Sequence, residues 1–229
     1  METLHGGFTL ELCPGAFPLS TDSMVLADFV RVGSSENVLD IGSGCGTLGL
    51  LLCADHPSCT VTGVELDENA HAMALENIRR NDLGSRLNSI CADAATIPAL
   101  FSPGQFSLCI SNPPYFSGGF SSRSCPQARS SDTLPLPELF RSAAYALQYG
   151  GDFCLVHKPE YLASLCRYAA QAGLEPKQLR LVRHRPNKAV SMILLRCRKG
   201  GKPGLTWDEL TLWDSDGNPS ADYQRIYHI

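Results

Sequence analysis

The chain has 229 residues, 44% of them apolar, and a formal net charge of −4, enough chain and apolar side chain for one α/β domain with a large core. No window reaches the roughly 18 consecutive apolar residues of a membrane span, and "METLHGGFTLELCPG" lacks the basic and apolar regions of a secretory signal. The ten cysteines form no CxxC pair, and Cys91, Cys109, Cys154 and Cys197 sit in strand-like apolar runs, so the expectation is a reduced cytoplasmic protein without structural disulfides or bound metal.

In chain order, "TDSMVLADFV" reads as a first helix, capped by Thr21 or Asp22, with Val25, Leu26, Phe29 and Val30 on one face. "NVLDIGSG" is a short buried strand running into glycines, "TLGLLLCAD" a helix, and "TVTGVEL" a second strand. "NAHAMALENIRRND" is helical, ending near Asn81 and Gly84, and "LNSICAD" and "FSLCIS" are the third and fourth strands. After a loop rich in Ser, Gly and Pro comes the helix "PELFRSAAYALQ", stopped by Gly150-Gly151. "DFCLVHK" is a fifth strand, "EYLASLCRYAAQAG" a helix, and "KQLRLVRH" with "AVSMILLRCR" a final strand pair. Apolar strands alternating with helices specify a mostly parallel, seven-stranded sheet covered on both faces, with an antiparallel hairpin at one edge.

The glycine turn after the first strand holds Asp40, Gly42, Ser43, Gly44 and Gly46. Glycine permits positive φ and close ligand approach, and ligands of open α/β sheets sit at strand C-termini. Glu65 ends the second strand, where a carboxylate can accept both hydroxyls of a ribose. Asp93 ends the third, where it can accept from an adenine amino group. The turn is not a dinucleotide fingerprint, and the absence of GxxxxGK[ST] argues against ATP hydrolysis. Asp40 is a poor neighbour for a pyrophosphate and suits the amino group of a methionine moiety, which favours S-adenosylmethionine over NAD. Leu66 and Ala94 complete the expected cofactor-binding set.

"VLDIGSGCG", "VTGVELDENA", "CADA" and "ISNPPYF", in this order and spacing, resemble the class I S-adenosylmethionine-dependent methyltransferases with an Asn-Pro-Pro-Tyr motif. "FPLSTDSMVLADF" and the segment from Val156 to Leu205 further resemble the bacterial tRNA adenine-N6 methyltransferases, whose members modify the adenosine just 3′ of the anticodon of a valine tRNA. The resemblance implies a Rossmann-like domain over residues 1–229: an extension and first helix in 1–33, a core in 34–205 and a tail in 206–229. It also implies tRNA, through its anticodon loop, as partner, with no membrane and no obligate protein partner.

The turn Asn112-Pro113-Pro114-Tyr115 fits amino-group methylation. The exocyclic nitrogen of adenine is a poor nucleophile because its lone pair is delocalised into the ring. Two acceptors aimed at its N–H groups favour the more tetrahedral nitrogen that attack requires, and the Asn112 side-chain oxygen and Pro113 carbonyl can supply them. The prolines stiffen the turn before substrate arrives. Tyr115 can stack on the base and Phe116 can add apolar wall. Asn112 is assigned to both cofactor and substrate.

Residues 1–100 carry 13 acidic and 4 basic residues, whereas nine basic and no acidic residues lie between Lys177 and Leu205. That run, with Arg183 and Arg185, and Arg123, Arg129 and Arg141 near the active loop, can follow RNA phosphates or form a solvated face. Asp22 is either a helix cap or part of the cofactor pocket. His71 reads as a surface residue, His157 as structural, and Trp207 and Trp213 as packing residues, while Lys158 could be placed towards a phosphate or have no such role. Relatives commonly show Ala-Arg-His-Glu after the proline turn, where this chain has "ARSSDT". The same chemistry on guanine N2 of ribosomal RNA, DNA adenine or protein glutamine stays open, as does a silent S-adenosylmethionine- or RNA-binding protein.

Overall fold

In the computed structural model, which describes residues 1–13, 19–33, 36–115 and 134–229, Ser20 rather than Thr21 or Asp22 caps the first helix. Its hydroxyl accepts from the Ser23 N–H at 3.2 Å. A two-stranded ribbon, β1 (Glu2–Thr3) and β2 (Thr9–Leu10), precedes this helix, α1 (Thr21–Phe29). There follow β3 (Asn37–Ile41), α2 (Thr47–Asp55), β4 (Thr60–Glu65), α3 (Glu68–Arg80) and β5 (Leu87–Cys91). A short α4 (Ile97–Leu100) leads to β6 (Phe106–Ser111), α5 (Leu136–Ala146) and β7 (Leu147–His157). The chain closes with α6 (Leu162–Gln171), β8 (Leu174–Arg183), β9 (Val190–Lys199), β10 (Thr206–Thr211) and α7 (Ala221–Tyr227).

Among the described residues the main sheet has eight strands in the order β10-β8-β9-β7-β6-β3-β4-β5, not seven. The extra strand comes from the expected tail: β10 pairs with β8 in parallel, so the antiparallel β8–β9 pair is covered and β10 forms the edge. β9 runs antiparallel to both β7 and β8, and every other pairing in this sheet is parallel. The chain reverses direction of growth between β3–β4–β5 and β6–β7, which puts a crevice at the C-terminal ends of β3 and β6.

Strand alternation divides the core in two. Val38, Leu108, Ile110, Cys154, Val156 and Leu194 face α1, α2 and α7, while Leu39, Ile41, Cys109, Phe153 and Leu155 face α5 and α6. α2 is apolar almost all round because Leu48 to Cys53 are all buried. Asn77 on α3 and Asn81, the C-cap of that helix, fasten the N-terminal segment: Asn77 Oδ1 accepts from Glu11 N–H at 2.9 Å, and Asn81 Oδ1 from Thr9 N–H at 2.8 Å. α5 ends at Ala146, earlier than expected, because buried Leu147 already pairs with Phe106 as the start of β7. Among the described residues no helix is long and apolar enough to cross a membrane.

Candidate active site

The crevice begins at the end of β3. Gly42, Gly44 and Gly46 take φ of +76°, +55° and +85°, values that side chains rarely adopt. A Cβ on Gly42 or Gly44 would meet no atom of the described residues within 4 Å, so among them this turn leaves bare backbone facing open space. Gly42 N–H donates to the Val64 carbonyl at 2.9 Å, and Gly44 N–H donates to Glu65 Oε2 at 2.7 Å. The other Glu65 oxygen accepts from Asp67 N–H at 2.9 Å. Two backbone donors thus fix the Glu65 carboxylate beside the turn.

Asp40 is 1% exposed, and neither of its carboxylate oxygens has a hydrogen-bond partner among the described residues. Burial, followed by the negative charge of Glu65, pushes its pKa up to about 8. A buried carboxylate without a donor is costly unless something cationic pairs with it. Its register partner on β4 is Gly63. Ser43 fills the space above that glycine, its Oγ lying 2.5 Å from where a Gly63 Cβ would stand.

A cleft of about 640 Å³ opens at the ends of the parallel strands. Gly42, Glu65, Leu66, Asp93, Ala94, Pro113 and Pro114 wall it. Asp40, Ser43, Gly44, Gly46, Asn112 and Tyr115 do not touch that cavity surface directly; they stand behind it or beside it. Asp93 Oδ1 accepts from Ala95 N–H at 2.8 Å, so it also caps the short turn that follows. Leu66, 48% exposed, offers an apolar face at the mouth. Leu134, Pro135 and Leu139 close the opposite wall. Sequence reasoning missed these three because they are separated from the proline turn by residues 116–133.

The Asn112 amide is anchored from α1. Its Nδ2 donates to Ser23 Oγ at 3.1 Å, and Ser23 is 7% exposed. Anchoring the nitrogen turns the planar amide so that Oδ1 lies on its other edge. Ser23 was not singled out in the sequence, where it is one more hydroxyl in a helix. The Tyr115 ring meets the His157 ring edge-on, centroids 5.2 Å apart, and Lys158 Nζ lies 5.0 Å over the Tyr115 face. Burial, and then the nearby Asp22 carboxylate, raise the Tyr115 hydroxyl pKa. Asp22 therefore stands beside Tyr115 instead of capping α1.

His157, 3% exposed and also against Tyr161 with centroids 4.5 Å apart, has its pKa lowered by burial. It packs between the Tyr115 and Tyr161 rings. His71 is not a bare surface residue, since Nδ1 contacts Ser89 Oγ at 2.8 Å. Trp213 packs on Tyr223, with ring centroids 4.9 Å apart, but Trp207 is 67% exposed and does not pack as expected. Phe116, Arg123, Arg129 and the "ARSSDT" departure lie outside the described residues.

The basic run does not form one patch. Because β8 and β10 run parallel to β7, the β8–β9 turn with Arg183, Arg185 and Lys188 lies at the cleft end of the sheet, whereas Lys177, Lys199 and Lys202 lie at the far end. Much of the charge is already paired: Arg180 with Asp28 and Asp208, Arg183 with Glu209, and Arg196 and Arg198 with Asp152. Arg185 and Lys188 have no acidic partner among the described residues.

Residues 18–164 match the model of the methyltransferase small domain. The chain is 30% identical over 210 residues, 91% of its length and 88% of the relative's, to a tRNA1(Val) (adenine(37)-N6)-methyltransferase of Pseudoalteromonas translucida. It is 33% identical over 176 residues, 75% of its length and 73% of the relative's, to the like-named protein of Bacteroides fragilis. The crystal structure of a predicted O-methyltransferase from Agrobacterium tumefaciens superposes with a TM-score of 0.77 at 20% identity, covering 91% of this chain and 96% of that one. This last likeness bears on the fold alone.

Proposed function

Because this chain belongs to the methyltransferase small domain family, we propose that it transfers a methyl group from S-adenosylmethionine to the exocyclic N6 of an adenosine in the anticodon loop of a valine tRNA. The observation that carries this reading is a single cleft walled both by Gly42, Glu65 and Asp93 and by Pro113 and Pro114. Cofactor-type groups and the amide-proline turn are thereby neighbours. The relatives' names supply the nucleotide and the RNA.

The residues present fit the cofactor. Asp40, buried with no donor among the described residues, matches an ammonium group, and the bare glycine backbone leaves room for the chain of a methionine moiety. Glu65, oriented by Gly44 and Asp67, is set to accept ribose hydroxyls, while Asp93, Ala94 and Leu66 form the base pocket. When bound, S-adenosylmethionine supplies an electrophilic methyl on a sulfonium centre. Asn112 Oδ1 and the Pro113 carbonyl accept from the target amino group, drawing its lone pair out of conjugation. Tyr115 stacks on the target base with Lys158 displaced from its face. A strong general base is unnecessary, because the methylated nitrogen is acidic and loses its proton to water.

An unpaired loop base can be extruded at lower cost than a duplex base. Arg185 and Lys188 contact phosphates beside the cleft, in one domain spanning residues 1–229 and working in the cytoplasm. The test is incubation with labelled S-adenosylmethionine and bulk tRNA from a strain lacking this modification. Label enters RNA as N6-methyladenosine; label confined to protein, DNA or guanine contradicts the proposal.

A further inference from the structure

α2 starts at the glycine turn, so its last residue, Asp55, stands at the end of the molecule away from the cleft. Two histidines from opposite ends of the chain meet it there. His5 belongs to a short turn after β1, and His228 follows α7 with φ of +55°. His5 Nε2 lies 3.6 Å and His228 Nε2 3.5 Å from the same oxygen, Asp55 Oδ1. One ligand atom from each of the three falls within 4.8 Å of the others.

These spacings are too long for hydrogen bonds, which put N and O about 2.7–3.2 Å apart. They are close to the separation between ligands of one metal ion: bonds of about 2.0–2.1 Å in tetrahedral geometry space the ligand atoms roughly 3.3 Å apart. Two imidazoles and a carboxylate make a borderline nitrogen–oxygen set suited to zinc and its late-transition neighbours rather than to magnesium or calcium. We propose that His5, Asp55 and His228 form a divalent transition-metal site of zinc type, with water in the fourth position.

The rings are now stacked, centroids 3.6 Å apart and 7° from parallel. Parallel rings cannot both aim a lone pair at one ion, so binding turns at least one ring about its χ2. Side-chain exposures of 43% for His5 and 34% for His228 leave room for that rotation. The ion ties the N-terminal turn, the end of α2 and the end of α7 together, beside a cavity of about 260 Å³ that Met24, Leu51 and Ile226 also line. Such a clamp adds its binding free energy to folding and leaves the methyl-transfer cleft untouched.

The test titrates Zn²⁺ into the reduced full chain by calorimetry and reads Co²⁺ substitution by absorption, which separates imidazole–carboxylate ligation from thiolate ligation. One equivalent is expected, with a rise in Tm, and affinity falls at least about tenfold in both His5→Gln and His228→Gln. Methyl transfer stays within about twofold of the parent in both variants, as ligand removal outside the cleft requires. Absence of binding, equal binding by the variants, or thiolate-only cobalt spectra overturn the proposal. Should a variant misfold, acylation of His5 and His228 by diethyl pyrocarbonate in the unaltered chain decides: Zn²⁺ protects both histidines, and lack of protection overturns the site.

Discussion

At the scale of single residues, the informative groups are those whose polar demands the fold leaves open. Asp40 has its pKa pushed up to about 8, against about 3.9 in an unfolded chain. Between those values the folded protein keeps a proton that the unfolded one has released. Stability without cofactor therefore falls as pH rises from about 4 to about 8 and levels off above. Denaturant titrations at stepped pH should show this slope and its reduction in Asp40→Asn; Glu36, also raised by burial, accounts for part of what remains. An unaltered slope in the variant would contradict the assignment. Ser23 is a positioning residue, since it holds Asn112 and nothing in the cleft. Ser23→Ala should lower turnover by about 5-fold, the worth of one ordinary hydrogen bond, with cofactor affinity unchanged and Ser23→Thr restoring the rate. Asn112→Ala should cost about 10²–10³ in turnover. Equal losses in the two alanine variants, or a cofactor-binding defect in Ser23→Ala, would show that the link does not act as described.

Among the elements, the ends of β3, β4, β5 and β6 wall the cleft that we propose as the site, and these four strands were legible in the sequence. They reveal themselves by largely apolar runs with a polar residue within two positions of the strand end: Asp40, Glu65, Asp93 and Asn112. What was not legible depends on contacts remote in sequence. Ser23 meets Asn112 across 89 positions and Asn77 reaches Glu11 across 66, so no local pattern marks either. β10 escaped notice because an edge strand needs little apolar character: in "TWDELT" Leu210 is 2% exposed while Trp207 faces solvent. Gly63 read as an ordinary strand residue, yet its missing side chain admits Ser43 of the glycine turn. Gly63→Ala should destabilise the fold by about 1–3 kcal/mol through overpacking and weaken cofactor binding, because the turn itself must move. A variant with parental Tm and cofactor affinity would contradict this packing.

For the molecule as a whole, the acidic N-terminal half and basic C-terminal run left open an anionic-partner surface or a solvated basic face. The fold separates that run between the two ends of the sheet and neutralises much of it with Asp28, Asp152, Asp208 and Glu209. Replacing Arg185 and Lys188 together should weaken tRNA binding and flatten its salt dependence by about one to two phosphate contacts. Replacing Lys177 and Lys202 at the far end should leave both unchanged, and the reverse pattern in filter-binding titrations would put the RNA on the other side. The most direct test of the central claim uses an unmodified valine tRNA transcript, S-adenosylmethionine and the purified chain, with the product mapped by nucleotide-resolved mass spectrometry. The account predicts one added methyl, on N6 of the adenosine 3′ of the anticodon, absent with Asn112→Ala. A methyl at another base or atom, or an equal yield from Asn112→Ala, would contradict it.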